Sequence, residues 1–241
     1  MKVVILAGGL GTRISEESKP KPLVEIGGKP ILWHIMKNYS TYNITDFIIC
    51  CGYKANMIIE YFKNIEESWN VSCIDTGLNS MTGGRLKRVK KYVEDETFCF
   101  TYGDTLNNVK IDKVINFHKE KSKIATVTAC QPRQKYGILD IENNIVTNFK
   151  EKPPMENIWV NGGYFVLEPD VFDYIKNDSS VWEKEPMNQL VKRKQLSAYE
   201  HKGFYQHMDT ISEKKYLNKL WESGDAQWKV WKLIVDFVKI L

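Results

Sequence analysis

The chain has 241 residues, of which 43% are hydrophobic and 27% charged, and 34 basic against 30 acidic residues leave a formal net charge of +4. This composition is that of an ordinary globular protein and argues against a disordered chain or a coiled coil. The small, well-mixed charge argues against a nucleic-acid-binding or membrane-binding surface. We therefore expect small molecules or protein subunits as partners.

The sequence also contains no apolar run near the roughly 20 residues that a membrane-spanning helix needs, and residues 3–7 are too short a run for a signal peptide. The five cysteines are an odd number without a C-x-x-C pair, and each lies in or beside an apolar run. They are interpreted as buried free thiols in a reducing compartment. We therefore expect a cytoplasmic protein.

The first two-thirds of the chain alternates β-rich runs with helical patterns, which is typical of a mostly parallel sheet covered on both faces. The predicted strands are residues 2–7, 46–51, 71–75, 98–102 and 124–130, and the predicted helices are 30–39, 84–92 and 112–121.

The last third is more irregular. Residues 137–149 form two alternating runs around Glu-Asn-Asn and predict a hairpin. Further on the pattern predicts a strand at 159–167, helices at 170–175 and 186–192, a strand pair at 197–208 around Gly203 and a helical tail at 213–241. No linker composition separates these elements, so we expect one α/β domain, residues 1–212, with a C-terminal helical appendage, 213–241, that packs on the domain or on a subunit.

The most informative segment is a buried strand that runs into a turn with three glycines, Gly8, Gly9 and Gly11. Such a turn exposes successive backbone N–H groups to a phosphate chain. The dinucleotide fingerprint is excluded because Ile14 stands at its third glycine, and a P-loop because no Gly-Lys-Ser/Thr follows. Alone, the turn also fits a tight strand-to-helix connection, but here Arg13 and a Lys-Pro-Lys-Pro run at 19–22 follow it in order.

This ordered segment resembles the sugar-phosphate nucleotidyltransferases, whose signature is Leu-Ala-Gly-Gly-x-Gly-Thr-Arg followed by a Lys-Pro element. Within them the chain is similar to the glucose-1-phosphate cytidylyltransferases in segments from both ends and the middle: residues 19–36, 82–88, 100–104, 160–169, 181–186, 208–210 and 228–231. The resemblance implies a Rossmann-like mixed, mostly parallel sheet flanked by helices, of the nucleotide-diphospho-sugar transferase type, with antiparallel hairpins.

The same resemblance implies the reaction. An acceptor phosphate attacks the α-phosphorus of CTP, CMP is transferred to glucose 1-phosphate, and pyrophosphate leaves. It also implies Mg²⁺ as cofactor, a homo-oligomer, and a role in capsule or cell-surface polysaccharide biosynthesis.

Site residues are implied by position in the matching motifs. The catalytic residues would be Arg13, Lys21, Asp104 and Asp209, with the two aspartates also holding the metal, since oxygen ligands shared with phosphates suit Mg²⁺. The nucleotide would be bound by Leu6, Ala7, Gly8, Gly9, Leu10, Gly11, Thr12, Arg13, Lys21, Ser80, Gly84, Arg85 and Gly103, and the acceptor by Tyr136, Gly137, Glu151, Lys152, Asn161 and Gly162. Taken singly, Asp104 also fits a turn and Asp209 a helix N-cap.

The chain departs from the resemblance between residues 60–64 and 69–71, where it has only Ile-Glu-Glu-Ser and the glucose-1-phosphate cytidylyltransferases carry a long insertion. The missing insertion keeps a second acceptor open, a non-sugar phosphate such as phosphoglutamine, as in capsular phosphoramidate biosynthesis. A third alternative is an inactive nucleotide-binding regulatory subunit, against which the joint presence of Arg13, Lys21, Asp104 and Asp209 argues. The four histidines have neither metal-ligand spacing nor a paired nucleophile, which argues against a zinc site or a hydrolase triad.

Overall fold

A computed structural model describes residues 1–11, 19–132, 136–151 and 158–231. The strands are β1 (Lys2–Leu6), β2 (Glu25–Ile26), β3 (Lys29–Pro30), β4 (Asp46–Cys51), β5 (Asn70–Asp75), β6 (Phe98–Tyr102), β7 (Thr105–Asn107), β8 (Ala125–Cys130), β9 (Ile138–Glu142), β10 (Ile145–Lys150), β11 (Val160–Leu167), β12 (Leu196–His201) and β13 (Tyr205–His207). The α-helices are α1 (Ile31–Ser40), α2 (Ala55–Lys63), α3 (Thr82–Arg88), α4 (Ile111–Lys121), α5 (Glu185–Lys192) and α6 (Ile211–Glu222), and short 3₁₀ helices cover Lys21–Leu23, Lys90–Tyr92 and Pro169–Tyr174.

Seven strands form one sheet in the order β12-β8-β11-β6-β1-β4-β5. Neighbouring strands are parallel except at β11, which runs antiparallel to both β6 and β8. Helices cover both faces of the sheet, so there is a hydrophobic core on each face. Alternate residues of β1 enter different cores: Val3 and Ile5 pack in one cluster and Val4 in the other. The predicted fold class, a mostly parallel mixed sheet flanked by helices with antiparallel hairpins, is confirmed.

The five strands predicted in the first part of the chain are all present, with ends that differ by at most one residue. The hairpin at 137–149 is the β9–β10 pair, and its turn residues Asn143 and Asn144 both have positive φ, as that tight turn requires. Two of the predicted helices need correction. The helix at 84–92 is α3, which begins at Thr82 and ends at Arg88, followed by a separate 3₁₀ turn, and the helix at 170–175 is 3₁₀.

The prediction that the two strands around Gly203 pair with each other was wrong. Both strands exist, but β12 adds to the main sheet parallel to β8, whereas β13 pairs antiparallel with β7. Helix α2 was not predicted; it begins after Lys54, whose φ of 51° is left-handed and whose side chain makes no capping hydrogen bond.

The C-terminal segment packs against the first long helix. Leu217 of α6 and Trp228 are fully buried in the same cluster as Ile35 and Met36 of α1. The predicted helical tail at 213–241 was wrong at residues 223–230, which form turns and irregular backbone: α6 ends at Glu222, just before Gly224, whose φ of +80° is left-handed. Residues 232–241 lie outside the described part of the chain. Among the helices described, none is long and apolar enough to cross a membrane.

Candidate active site

A cavity of about 630 Å³ opens where β1 and β6 end. These strands are parallel neighbours, so their carboxyl ends meet at one edge of the sheet, where ligands bind in open α/β folds. Of the residues predicted for the site, the cavity is lined by Leu6, Ala7, Gly8, Gly9, Leu10, Gly11, Lys21, Ser80, Arg85, Gly103, Asp104 and Asp209. Thr12, Arg13 and Lys152 lie outside the described residues.

The glycine turn packs closely at two of its glycines and is open at the third. A side chain on Gly8 would collide with the Arg85 guanidinium, and one on Gly11, whose φ is +60°, would lie 2.8 Å from Cβ of Lys21. At Gly9 nothing lies within 4 Å of where a Cβ would be. The open backbone at Gly9 is therefore where a ligand can approach the turn directly.

Lys21 joins the two predicted aspartates. Its Nζ lies 2.5 Å from Oδ2 of Asp104 and 2.5 Å from Oδ1 of Asp209. The lysine side chain is only 12% exposed, while the carboxylates are 31% and 26% exposed. Burial lowers the pKa of Lys21, but attraction and hydrogen bonds from Asp104 and then Asp209 outweigh it, so the pKa is raised and the ammonium stays charged.

A small two-stranded sheet brings Asp104 and Asp209 together although 104 residues separate them in the chain. Asp104 immediately precedes β7 and Asp209 follows β13; these strands pair with His207 opposite Thr105, and Met208 N–H donates to the Asp104 carbonyl at 2.9 Å. The pairing therefore fixes both carboxylates at one end of the same ladder.

The start of α6 holds the backbone at Asp209. Thr210 is the N-cap of a capping box: its hydroxyl accepts from Glu213 N–H, and Glu213 Oε2 accepts from the N–H groups of Asp209 (2.7 Å) and Thr210 (3.0 Å). Asp209 is thus next to an N-cap, while its own side chain points to Lys21. His207 Nε2 lies 3.2 Å from the other oxygen of Glu213, which links the strand to the cap.

Arg85 and Ser80 form one wall of the cavity, but their polar groups already bind the protein. Arg85 donates to the carbonyls of Cys51 and Leu78 and to the Thr76 hydroxyl, and burial lowers its pKa. Ser80 donates to Thr76 O. Gly84 does not line the cavity; a Cβ there would lie 2.3 Å from the carbonyl oxygen of Asp178, so this glycine permits close packing of α3 on that loop.

Sequence reasoning assigned no role to Tyr102 or Glu183, which line the cavity and form a hydrogen-bonded network. The Tyr102 hydroxyl donates to Glu183 Oε1 at 2.5 Å and accepts from the Asn161 amide at 3.1 Å, and Thr82 donates to Glu183 Oε2. Burial, followed by the nearby Glu183 carboxylate, raises the pKa of Tyr102, so its hydroxyl stays protonated as a donor. The available signal was the match at residues 181–186, which includes Glu183 but implied no role.

Of the residues predicted to bind the acceptor, only some lie near the cavity. Asn161 reaches the cavity wall through Tyr102, and Gly162 packs behind it against Cys130, where a Cβ would lie 2.5 Å from the sulfur. Tyr136, Gly137 and Glu151 lie at the base of the β9–β10 hairpin and do not line the cavity.

The metal-binding capacity of the site rests on two carboxylates. In the described ranges no group of three or more His, Cys, Asp or Glu side chains could hold a metal ion by itself. Asp104 and Asp209 nevertheless fit a hard divalent cation, because both offer oxygen donors and both already touch one cationic group, the Lys21 ammonium. Remaining ligands would have to come from a bound phosphate or water.

Comparison with known proteins identifies the family of the chain. The family model described as Nucleotidyl transferase matches residues 2–230. The glucose-1-phosphate cytidylyltransferase of Salmonella typhi is 52% identical over 257 aligned positions, which cover 96% of this chain and all of that protein. Since 257 positions exceed the 241 residues here, the Salmonella protein has residues that this chain lacks.

Solved structures agree on the fold. HddC from Yersinia pseudotuberculosis superimposes with a TM-score of 0.71 at 26% identity and covers 91% of this chain and 99% of its own. A UDP-glucose pyrophosphorylase complexed with UDP-glucose gives a TM-score of 0.73 at 18% identity, with 92% and 98% covered, which shows the shared fold.

Proposed function

This chain belongs to the nucleotidyl transferase family, and from that premise we propose that it is a cytidylyltransferase that makes CDP-glucose from CTP and glucose 1-phosphate with release of pyrophosphate. The observation that carries the proposal is the convergence of the glycine turn, Lys21, Asp104 and Asp209 on one cavity. The identity to the Salmonella enzyme supports the choice of CTP and glucose 1-phosphate.

The triphosphate is assigned to the glycine turn. Backbone N–H groups of residues 8–11, with Leu6 and Ala7 behind them and Gly103 beside them, form the anion-binding edge of the cavity. Thr12 and Arg13 continue this segment, and the forked donors of Arg13 suit the charge on a departing pyrophosphate. Ser80, Gly84 and Arg85 belong to the base side; Arg85 and Ser80 shape the wall, and Gly84 sets the position of α3.

The chemical step forms a bond from an acceptor phosphate oxygen to the α-phosphorus of CTP and breaks the bond from that phosphorus to the oxygen bridging to the β-phosphorus. The bridging oxygen leaves with pyrophosphate. Catalysis of such a step is mainly positioning and charge neutralisation. Lys21 supplies a buried positive charge at the junction of the turn and the carboxylates.

The metal assigned to the site is Mg²⁺, held by Asp104 and Asp209. When bound, it neutralises charge on the phosphate oxygens. The two aspartates contribute the protein's share of its ligands, and the β7–β13 pairing and the α6 cap hold them in place.

The acceptor is assigned to the side of the cavity at Tyr102, where Asn161 and Glu183 converge. A carboxylate and a protonated phenol suit sugar hydroxyls, which both donate and accept hydrogen bonds. Tyr136, Gly137, Glu151, Lys152 and Gly162 complete this assignment from the matching motifs.

The test is turnover of the purified protein with Mg²⁺, each of the four nucleoside triphosphates and glucose 1-phosphate, followed by pyrophosphate release and product mass. CDP-glucose formed from CTP, at a rate well above that with ATP, GTP or UTP, is the expected result. Pyrophosphate release with a different nucleotide would overturn the choice of CTP, and no release with any nucleotide or acceptor would favour the inactive regulatory subunit.

A second acceptor has one observation in its favour. Only residues 64–69 connect α2 to β5, at the place where the longer relatives were expected to carry their insertion. Phosphoglutamine in place of glucose 1-phosphate is therefore the other arm of the same assay. A CMP adduct of phosphoglutamine without CDP-glucose would replace the sugar by the amino acid as acceptor.

We also propose a homo-oligomer in the cytoplasm, where CTP is available, that serves cell-surface polysaccharide biosynthesis. Support for assembly comes from the hairpin β9–β10, where Ile141, Ile145 and Phe149 are among six large apolar side chains exposed to solvent. Light scattering of the wild type against an Ile141→Asp/Ile145→Asp variant tests this: a wild-type monomer, or an unchanged mass of the variant, contradicts the role of the hairpin.

A further inference from the structure

The Lys21 ammonium lies between Asp104 and Asp209 and binds both carboxylates. Each carboxylate uses one oxygen on the same nitrogen atom, at 2.5 Å. Two carboxylates that face each other repel, and one cation between them removes that repulsion. The ammonium thus occupies the position that suits the divalent cation of the proposed function.

One ammonium and one divalent cation do not fit between these carboxylates together. Both would need the same inward-facing oxygens, and two positive charges at that distance repel each other. The lysine side chain is 12% exposed, so this interaction is far less screened than a surface ion pair.

The Lys21 ammonium can also reach a second position, next to the glycine turn. Its Cβ lies against the glycine turn, 2.8 Å from where a side chain on Gly11 would begin. From this base, rotation of the flexible lysine chain carries the ammonium from the carboxylates toward a phosphate held on the turn. A bound triphosphate offers the ammonium several oxygens there, and in the same movement the two carboxylates become free.

We propose that Lys21 is a place-holder cation: it keeps Asp104 and Asp209 together in the unliganded protein, and a divalent cation binds tightly only when the triphosphate draws the ammonium away. Metal and nucleotide therefore bind as a coupled pair, and the coupling is reciprocal. The inference rests on the proposed function only for the kind of cation and ligand, because the competition is between two cations for two carboxylates of this chain.

The test measures metal binding without nucleotide or acceptor, so it does not depend on turnover. Mn²⁺ is titrated into wild type, Lys21→Met and Lys19→Met, and free Mn²⁺ is followed by electron paramagnetic resonance. We expect Lys21→Met to bind Mn²⁺ on the order of tenfold more tightly than wild type, because the competing charge is gone. Lys19→Met is the matched control. It removes the same charge at a position two residues from Lys21, where the lysine forms a surface ion pair with Glu25.

Equal or weaker Mn²⁺ binding by Lys21→Met overturns the proposal, and so does an equal gain in Lys19→Met, which would show a general charge effect. A second measurement uses the wild type alone, so it tests the displacement of the ammonium even if Lys21→Met does not fold. Labelling with an amine-reactive ester, read by mass spectrometry, should modify Lys21 several-fold faster at saturating Mn²⁺ than in its absence. Unchanged labelling of Lys21 would mean that the ammonium does not leave the carboxylates. Loss of CTP turnover in the separate assay would leave both readouts intact.

Discussion

At the scale of single residues, the site is organised by one buried cation between two carboxylates. Lys21 is 12% exposed, yet both of its carboxylate partners face the cavity. An isolated ammonium at that depth would be costly, and the two aspartates offset the cost. The two aspartates therefore stabilise the buried ammonium, and the three groups supply the charges that the proposed phosphate chemistry needs.

The first prediction concerns the carboxylates. Asp104→Asn and Asp209→Asn should each lower kcat/KM by roughly two to three orders of magnitude, since a metal ligand contributes several kcal/mol to a charged transition state. Both positions are partly exposed, so circular dichroism should show an intact fold. Asp178→Asn is the control, because that carboxylate pairs with Arg88 on the surface. Near-wild-type rates across a Mg²⁺ titration would show that the aspartates do not hold the metal.

A second prediction separates backbone strain from site geometry. Gly11 and Gly28 both have positive φ, which costs a non-glycine residue about 1–2 kcal/mol. Gly11→Ala and Gly28→Ala should therefore both lower the free energy of unfolding in urea by about that amount. Only Gly11→Ala should also reduce activity by tenfold or more, because its methyl group would press on Lys21, whereas nothing lies near Gly28. Equal activity of the two variants would contradict this account of the turn.

At the scale of elements, the site depends on short pieces of structure rather than on the large sheet alone. The sheet supplies the edge where β1 and β6 end, but Asp209 is brought there by the three-residue strands β7 and β13 and by the first turn of α6. Because β7 and β13 have only three residues each, the cap and the ladder hydrogen bonds matter for the geometry of the carboxylates.

The third prediction tests that dependence at the cap. Thr210→Ala should cost about 1 kcal/mol of stability through the lost cap. Glu213→Ala should additionally raise the Mg²⁺ concentration needed for half-maximal rate, because Glu213 also accepts from the backbone N–H of Asp209. Thr210→Ser, which keeps the cap hydroxyl, is the control and should match wild type in urea unfolding and in Mg²⁺ dependence. A Glu213→Ala variant with unchanged Mg²⁺ dependence would mean that the cap does not position Asp209.

Sequence patterns predicted the sheet well because its strands are long enough to show periodicity. Runs such as Asp46–Cys51 are nearly continuous apolar segments, as strands buried on both faces must be. The β7–β13 pairing has three residues on each side, too few for a pattern, and its partners are far apart in the chain. The wrong pairing around Gly203 has the same cause: local sequence predicted two strands but carried no information on their partners.

For the site, the glycine turn and Gly103-Asp104 were predictable because each directly follows a buried strand. Asp209 depended on resemblance to a family, since locally it fits an N-cap region equally well. Glu183 had no local signal, because its place at the cavity arises from a hydrogen bond to Tyr102, 81 residues earlier. Arg85 was placed at the nucleotide site by the resemblance, but its hydrogen bonds to Cys51, Thr76 and Leu78 had no local signal in the sequence.

At the scale of the whole molecule, an aromatic cluster joins the C-terminal segment to the first long helix. Trp221, Trp228 and Trp231 surround His34 of α1 at ring distances of 5.0 to 6.1 Å. The division at residue 212 stays a prediction. Truncation before Gly224 tests whether the C-terminal segment is part of the core: because Trp228 is fully buried, we expect loss of cooperative unfolding, and a stable, active remainder would contradict this.

The last prediction uses His34 as a sensor of this packing. The Trp228 indole N–H donates to Nδ1 of His34 at 3.3 Å, and Nε2 donates to the Ile26 carbonyl at 2.8 Å, so the neutral ring is fully satisfied. Burial, and to a lesser degree the charge of Lys229, lowers the pKa of His34 to about 4 from 6.5. Between pH 6.5 and 4, His34 binds a proton in the unfolded chain but stays neutral in the folded chain.

Stability should therefore be complete above pH 6.5 and fall as the pH drops toward 4, by about 3 kcal/mol in total from this group. Urea unfolding followed by tryptophan fluorescence at several pH values measures the slope. His34→Gln is the comparison: it should be less stable at pH 7, because it loses ring packing, yet show a shallower decline on acidification. Parallel curves for wild type and variant would mean that a different group carries the pH dependence. A shallower curve would show that burial of the neutral His34 ring, between α1 and the C-terminal segment, carries part of the sensitivity to acid.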